Sequence, residues 1–239
     1  MPAARARRGY FECRYGQLHV HHAMPPGGGF EEGTPLICLH DLPGSGRVFS
    51  RLLSVAGEDR SVYAPDLPGF GESDGPAVRP TMSEYAAALG DFIENMRLRN
   101  VGLLGLRSGG VPAIELALTR PAQVSRVILV SVPLLTEADR QAARTQPQPA
   151  AAAEGAFRSL ETMRWVLEAV AQYPLRERLA RLSQRLLVLR PRDDLWEATA
   201  RVREVLPATR LIELQQSGLE ALAQAPQAIA GAAREFLRA

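Results

Sequence analysis

The chain has 239 residues, 46% of them apolar, which is enough to bury one substantial core and makes a single domain with one insertion the default. Its formal charge of +2 is too small to argue for nucleic acid or a membrane surface as a partner, and basic residues are scattered among acidic ones. All 28 basic residues are arginine, which removes any lysine base, Schiff base or phosphate-loop lysine.

From the N-terminus, "GYFECRYG" and "QLHVHHAM" read as a hairpin at a sheet edge, split by Gly16. The basic N-terminal residues precede no apolar run of signal-peptide type, so the expectation is an unexported, cytoplasmic chain. Gly27 to Gly29 and Gly33 mark a loop, and "PLICLH" (35–40) is a continuous apolar run of the kind a buried strand needs. "GRVFSRLLSVAG" has helical spacing. "SVYAPDLPGFG" is a strand that breaks into a Pro/Gly loop, and Thr81 with Glu84 forms a capping box ahead of a helix over "TMSEYAAALGDFIENMRLR".

Beyond this helix, "VGLL" leads through "GLRSGG" into "VPAIELAL", a strand, a glycine-flanked turn and a helix. Three further strands are expected at 124–133, 185–191 and 209–214, with helices over "LWEATARVREVL" and "APQAIAGAAREFLRA" after the last two. The alternation calls for a mostly parallel sheet covered on both faces. It lapses over 134–183, where a polar Pro/Ala-rich linker precedes the helical "FRSLETMRWVLEAVAQYPLRERLARL". The division expected is a core of 1–133 and 184–239 with 134–183 as a reduced cap, or lid. No internal repeat is visible.

Four landmarks, in order, carry a resemblance to the α/β-hydrolase fold family over almost the whole chain: "LHDLPGSG" (39–46), "DLPGFGESDGP" (66–76), "GLRSGG" (105–110) and "VLRPRDDLW" (188–196). The resemblance implies an oxyanion-hole loop after the third strand, a nucleophile elbow at "GLRSGG", and Asp194 as the triad acid. In a G-x-S-x-G elbow the residues two before and two after the tip are small, and Gly105 and Gly109 meet that demand with Arg107 between them. Placing Ser108 at the tip instead puts Leu106 at the earlier small position, so the Arg107 register is preferred.

The family order of serine, acid and histidine puts the histidine in the loop before the last helix, where this chain has Leu219 after Gly218. Its four histidines are His19, His21, His22 and His40, all early. A serine without a base is a weak nucleophile. Asp41 stands after His40 where the family has glycine, and a carboxylate there opposes an oxyanion.

Arg107 needs an acidic partner. One reading pairs it internally with Asp194 or Asp41, and the other has it hold an anionic ligand. His40 is either a loop-supporting histidine or an unorthodox base for Ser108. His19 and His21 with Cys13 suggest a metal only weakly, and exposed histidines on an edge hairpin are the simpler reading. Cys13 and Cys38 read as reduced thiols. Trp165, Met163 and Leu167 either line a pocket under the cap or bury an apolar helix face.

The ligand-facing residues expected are His40, Asp41, Arg107, Ser108 and Trp165, with no metal and no cofactor, since the glycine runs lack dinucleotide and Walker spacings. Three functions remain open. The first is a non-hydrolytic, small-molecule-binding pseudo-hydrolase. The second is a weak or unorthodox esterase or lyase using Ser108, His40 and Asp194. The third is a non-catalytic interaction subunit of unknown oligomeric state.

Overall fold

The computed structural model describes residues 4–27, 33–145 and 159–238. Eight strands form one sheet in the order β1-β2-β4-β3-β5-β6-β7-β8. They are β1 (Arg7–Cys13), β2 (Gly16–Ala23), β3 (Leu36–Leu39), β4 (Val62–Pro65), β5 (Val101–Leu106), β6 (Val124–Val130), β7 (Arg185–Pro191) and β8 (Arg210–Leu214). The β1–β2 hairpin is antiparallel and β2 meets β4 antiparallel, while every pairing from β4 to β8 is parallel.

Ten helices accompany the strands among the described residues. They are α1 (Ser50–Ala56), α2 (Met82–Asn95), α3 (Gly110–Thr119), α4 (Glu137–Thr145), α5 (Leu160–Gln172), α6 (Leu175–Leu179), α7 (Trp196–Ala200), α8 (Val202–Val205), α9 (Gly218–Gln224) and α10 (Pro226–Arg238). Alternate residues of the parallel strands go to opposite faces, as a pleated strand requires. Ile37, Leu39, Leu103, Leu129 and Val188 pack with α2 and α3, whereas Leu36, Cys38, Leu104, Ile128 and Leu187 pack with α1, α9 and α10.

The Thr81 box caps α2 reciprocally with Glu84. Other elements depart from the sequence expectation. The helix foreseen over 195–206 is two short helices, broken at Arg201 between α7 and α8. The linker foreseen from Thr136 begins with α4, and its continuation over 146–158 lies outside the described residues, as do Gly28 and Gly29. The loop expected around Leu219 is α9, closed by a second capping box in which Ser217 and Glu220 exchange hydrogen bonds.

The helices between β6 and β7 are fastened to the core by a polar knot. Glu115 on α3, only 4% exposed, accepts from Tyr173 Oη at 2.8 Å and forms an ion pair with Arg178 of α6. Leu179 of α6 and Val166 of α5 are buried beside it in the main core. Among the described residues no helix is long and apolar enough to cross a membrane.

Candidate active site at the switch point

The chain runs from β3 outward to β4, then returns to place β5 on the other side of β3. This topological switch opens a crevice at the carboxyl ends of β3 and β5, where α/β sheets characteristically place ligands. The residues that follow those two strands, His40 to Leu42 and Arg107 to Gly109, therefore meet there.

Backbone crowding fixes the bend after β5. A Cβ on Gly105 would lie 2.5 Å from Gly110 Cα, and one on Gly109 would overlap the carbonyl oxygens of Leu39 and His40. Between them Arg107 has φ of 51°, a left-handed conformation that costs an L residue energy and persists only where the surroundings impose it. Arg107 thus occupies the tip and Ser108 is one residue beyond it.

Charge fills the crevice. Arg107 makes a bidentate contact with Asp194, Nη1 to Oδ1 at 2.7 Å and Nη2 to Oδ2 at 2.8 Å, while its Nε lies 3.0 Å from Asp41 Oδ2. Asp193 Oδ2 is 3.8 Å from Nη1 and accepts from Ser131 Oγ at 2.6 Å. Asp41 Oδ1 accepts three hydrogen bonds: from Leu42 N at 2.9 Å, Ser108 N at 3.2 Å and Ser108 Oγ at 2.5 Å. Ser108 Oγ also accepts from Leu42 N at 2.8 Å.

In a working elbow, the N–H of the residue after the tip and an N–H from the loop after β3 form the oxyanion hole. Here those positions are Ser108 N and Leu42 N, and both donate to the carboxylate of Asp41. The protein's own anion sits among donors of the kind that a reaction oxyanion requires. The bidentate bond to Asp194 raises the Arg107 pKa, against desolvation, and the same bond lowers that of Asp194.

His40 is fully buried and belongs to neither a relay nor a ligand surface. Its Nδ1 lies 2.8 Å from Asp41 O and its Nε2 accepts from Leu67 N at 2.9 Å, a pattern that fixes the neutral tautomer protonated on Nδ1. Burial lowers its pKa, partly offset by the hydrogen bond to the Asp41 carbonyl. The trio of Ser108, His40 and Asp194 forms no relay, because each member is bonded to a different partner. Leu219, on the first turn of α9, is half exposed and carries no group that can take a proton.

A cavity of about 800 Å³ lies beside this network, between α3, the loop after β6 and the helices α4 to α6. Val111, Leu134, Leu135, Leu167 and Val170 give it apolar walls, Tyr173 and Thr136 add hydroxyls, and Glu137, Arg140, Arg176 and Glu177 are charged. Its volume lies in the range usual for small-molecule sites. From α5 it takes Leu167 but not Trp165 or Met163. Met163 packs against the core, and Trp165 is half-buried outside the cavity wall.

The hairpin histidines also differ from expectation. His19 is buried, with Nδ1 2.9 Å from Asp66 Oδ2, and β2 is an interior strand, so only β1 forms the edge. Ligand atoms of His19, His21 and Asp66 lie within 4.8 Å of one another, without Cys13. Asp66 already accepts from Gly46 N and Glu72 N as well as facing His19, which marks it as the tie holding the loop after β4. Burial raises the thiol pKa of both Cys13 and Cys38, as expected of unreactive cysteines.

Asp193 and Ser131 are the members of the site that sequence reasoning missed. The doubled "DD" was their only signal.

The mostly parallel eight-stranded sheet, covered on both faces and carrying a glycine-framed bend at its switch point, defines an α/β protein built around a nucleophile elbow. A family model described as "alpha/beta hydrolase fold" matches residues 34–225, and the chain belongs to that family. It is similar, at 36% identity over 101 residues, to the 1-acylglycerol-3-phosphate O-acyltransferase ABHD5 of Rattus norvegicus, covering 41% of this chain and 29% of that protein. A haloalkane dehalogenase of Psychrobacter cryohalolentis is 28% identical over 114 residues, covering 46% of this chain and 37% of that one. The chain therefore spans well under two thirds of the length of these curated relatives. Among solved structures, the enol-lactonase from Burkholderia xenovorans LB400 superposes with a TM-score of 0.75 at 17% identity, covering 97% of this chain and 100% of that one.

Proposed function

We propose that this chain is a non-hydrolytic α/β-hydrolase-fold protein that binds a small, largely apolar molecule under a reduced cap formed by residues 134–183. One observation carries the loss of hydrolysis: a single network places Arg107 at the elbow tip and the Asp41 carboxylate on the Ser108 and Leu42 N–H groups. Hydrolysis by this fold needs a hydroxyl at the tip, an imidazole beside it and an empty oxyanion hole. Arg107, Leu219 and Asp41 replace the three in turn.

Binding draws its support from the 800 Å³ cavity, whose apolar walls lie beside the network rather than within it. Arg107, Ser108 and Asp41 satisfy one another, so the ligand meets them as a closed polar floor at most. Intact-mass spectrometry after treatment with a fluorophosphonate tests the first half: the expected result is no adduct, and a stoichiometric adduct on Ser108 would reverse it. A thermal-shift screen of apolar small molecules tests the second. Hits should vanish in Leu167→Arg, which puts a charge into the cavity from a position already 38% exposed.

Ser108 itself favours one narrower alternative. Its Oγ lies 2.5 Å from a carboxylate, so a slow acyl transfer through Ser108 and Asp41 is the form that any residual chemistry would take. A carboxylate is a far poorer base than imidazole for a hydroxyl near neutral pH, which limits that reading.

A further inference from the structure

A second pocket, of about 360 Å³, lies on the hairpin side of the sheet, where the start of β1 meets the turn into α1 and the loop after β4. Arg7, Arg8 and Arg47 line it together with His21, Ser45, Ser50, Asp66, Gly71 and Glu72. It shares no residue with the Arg107 network or with the cavity under the β6–β7 helices.

Arginines with and without carboxylate partners occur across the surface, Arg14 with Asp91 and Arg210 with Glu235 among the paired ones. Arg7, Arg8 and Arg47 have no such partner among the described residues, although they border one pocket. The acids beside them are engaged with other groups. Asp66 accepts from Gly46 N and Glu72 N and faces His19 Nδ1, and Glu72 accepts from Tyr10 Oη at 2.7 Å with His19 Nε2 at 3.9 Å. Ser45 precedes the 3₁₀ turn Gly46–Phe49 without a side-chain capping bond, which leaves its hydroxyl available at the wall.

Two guanidinium groups without an ion-pair partner, Arg8 and Arg47, beside a pocket of this size describe a receptor for a compact, multiply charged anion. Arginine forks match tetrahedral oxyanions through paired N–H donors, and each such charge-assisted bond is about twice as strong as a neutral one. Arg8 stands opposite His21 in the β1–β2 register and Arg47 comes from the turn before α1, whereas Arg7, opposite His22, leaves the strand on its other face. We infer that this pocket binds a phosphate monoester group, with Arg8 and Arg47 as its ligands and the Ser45 hydroxyl as a further donor.

The dianion could belong to a soluble metabolite or to a lipid headgroup, and the experiment separates these sources. Glycerol 3-phosphate is titrated calorimetrically into the full chain at physiological ionic strength, and vesicles of phosphatidylcholine with phosphatidic acid are sedimented with it. Phosphatidylserine vesicles of equal charge serve as the control. The inference expects binding of glycerol 3-phosphate, or of phosphatidic acid vesicles in preference to phosphatidylserine ones, weakened tenfold or more by Arg8→Ala and by Arg47→Ala. Arg210→Ala, at the far edge of the sheet and outside both pockets, should leave it unchanged. Arg8 and Arg47 are exposed, and circular dichroism of each variant verifies folding. Binding of neither probe, equal binding of both vesicle types, or affinities indifferent to Arg8 and Arg47 would overturn it. None of these outcomes bears on fluorophosphonate labelling or on the cavity beneath Leu167.

Discussion

The bend after β5 and the segment leading into α9 are held by different physics. At the bend sterics fix the backbone: a Cβ on Gly105 or Gly109 would collide with main-chain atoms, and Arg107 between them has a left-handed φ. Ahead of α9 the backbone is fixed by the Ser217–Glu220 capping box, and Leu219, where the resemblance leads one to expect a histidine, is half exposed. Charge fills the crevice at the bend: Arg107 opposite Asp41, Asp193 and Asp194.

The largest expected effect comes from breaking the frame. Gly109→Ala drives a methyl into the carbonyls of Leu39 and His40, and overpacking of this kind costs about 3 kcal/mol, read as a fall in the denaturant midpoint. If the variant were as stable as the parent, the steric account of the bend would be wrong.

Next is Glu115→Ala, which leaves Tyr173 Oη and Arg178 without their buried acceptor. The expected loss is about 1–3 kcal/mol, with proteolysis appearing first between β6 and β7 as α5 and α6 loosen. Unchanged protease resistance would show that apolar packing alone holds those helices.

Arg107→Ala should have a smaller effect, about 1 kcal/mol, because Asp194 is 69% exposed and solvent screens its attraction. The loss should shrink with added salt, since three carboxylates are then left to repel one another across the crevice. A salt-independent loss would mean that the guanidinium contributes by packing.

A pH effect sharpens the contrast between His40 and a catalytic histidine. Burial lowers the His40 pKa, so the unfolded chain binds more protons than the folded one below about 6.5 and stability must decline as pH falls through that region. A protonated ring could no longer accept from Leu67 N. NMR of the imidazole should show the neutral Nδ1–H form persisting below pH 6.5, and a midpoint at or above 6.5 would refute the assignment.

Much of this was legible in the residues, and the exceptions have physical reasons. The parallel sheet, the α2 cap and the elbow register could be read because each depends on local spacing or on steric demands a few residues apart. The burial of His19 could not, since its partner Asp66 is 47 residues away in the chain. The break at Arg201 has no glycine or proline to announce it. The Ser217–Glu220 capping pattern is a readable helix start, and it conflicts with the loop that the family resemblance implies at this place. Asp41 was recognised as unfavourable to an oxyanion, but only three-dimensional geometry shows its carboxylate taking the Ser108 and Leu42 N–H groups.

Turnover of a simple activated acyl ester by the purified chain, measured against its Ser108→Ala variant at equal concentration, tests the central claim most directly. With the oxyanion donors occupied by Asp41 and no imidazole at hand, the two proteins should give the same background rate. Sustained turnover by the parent that disappears in the variant would contradict the account.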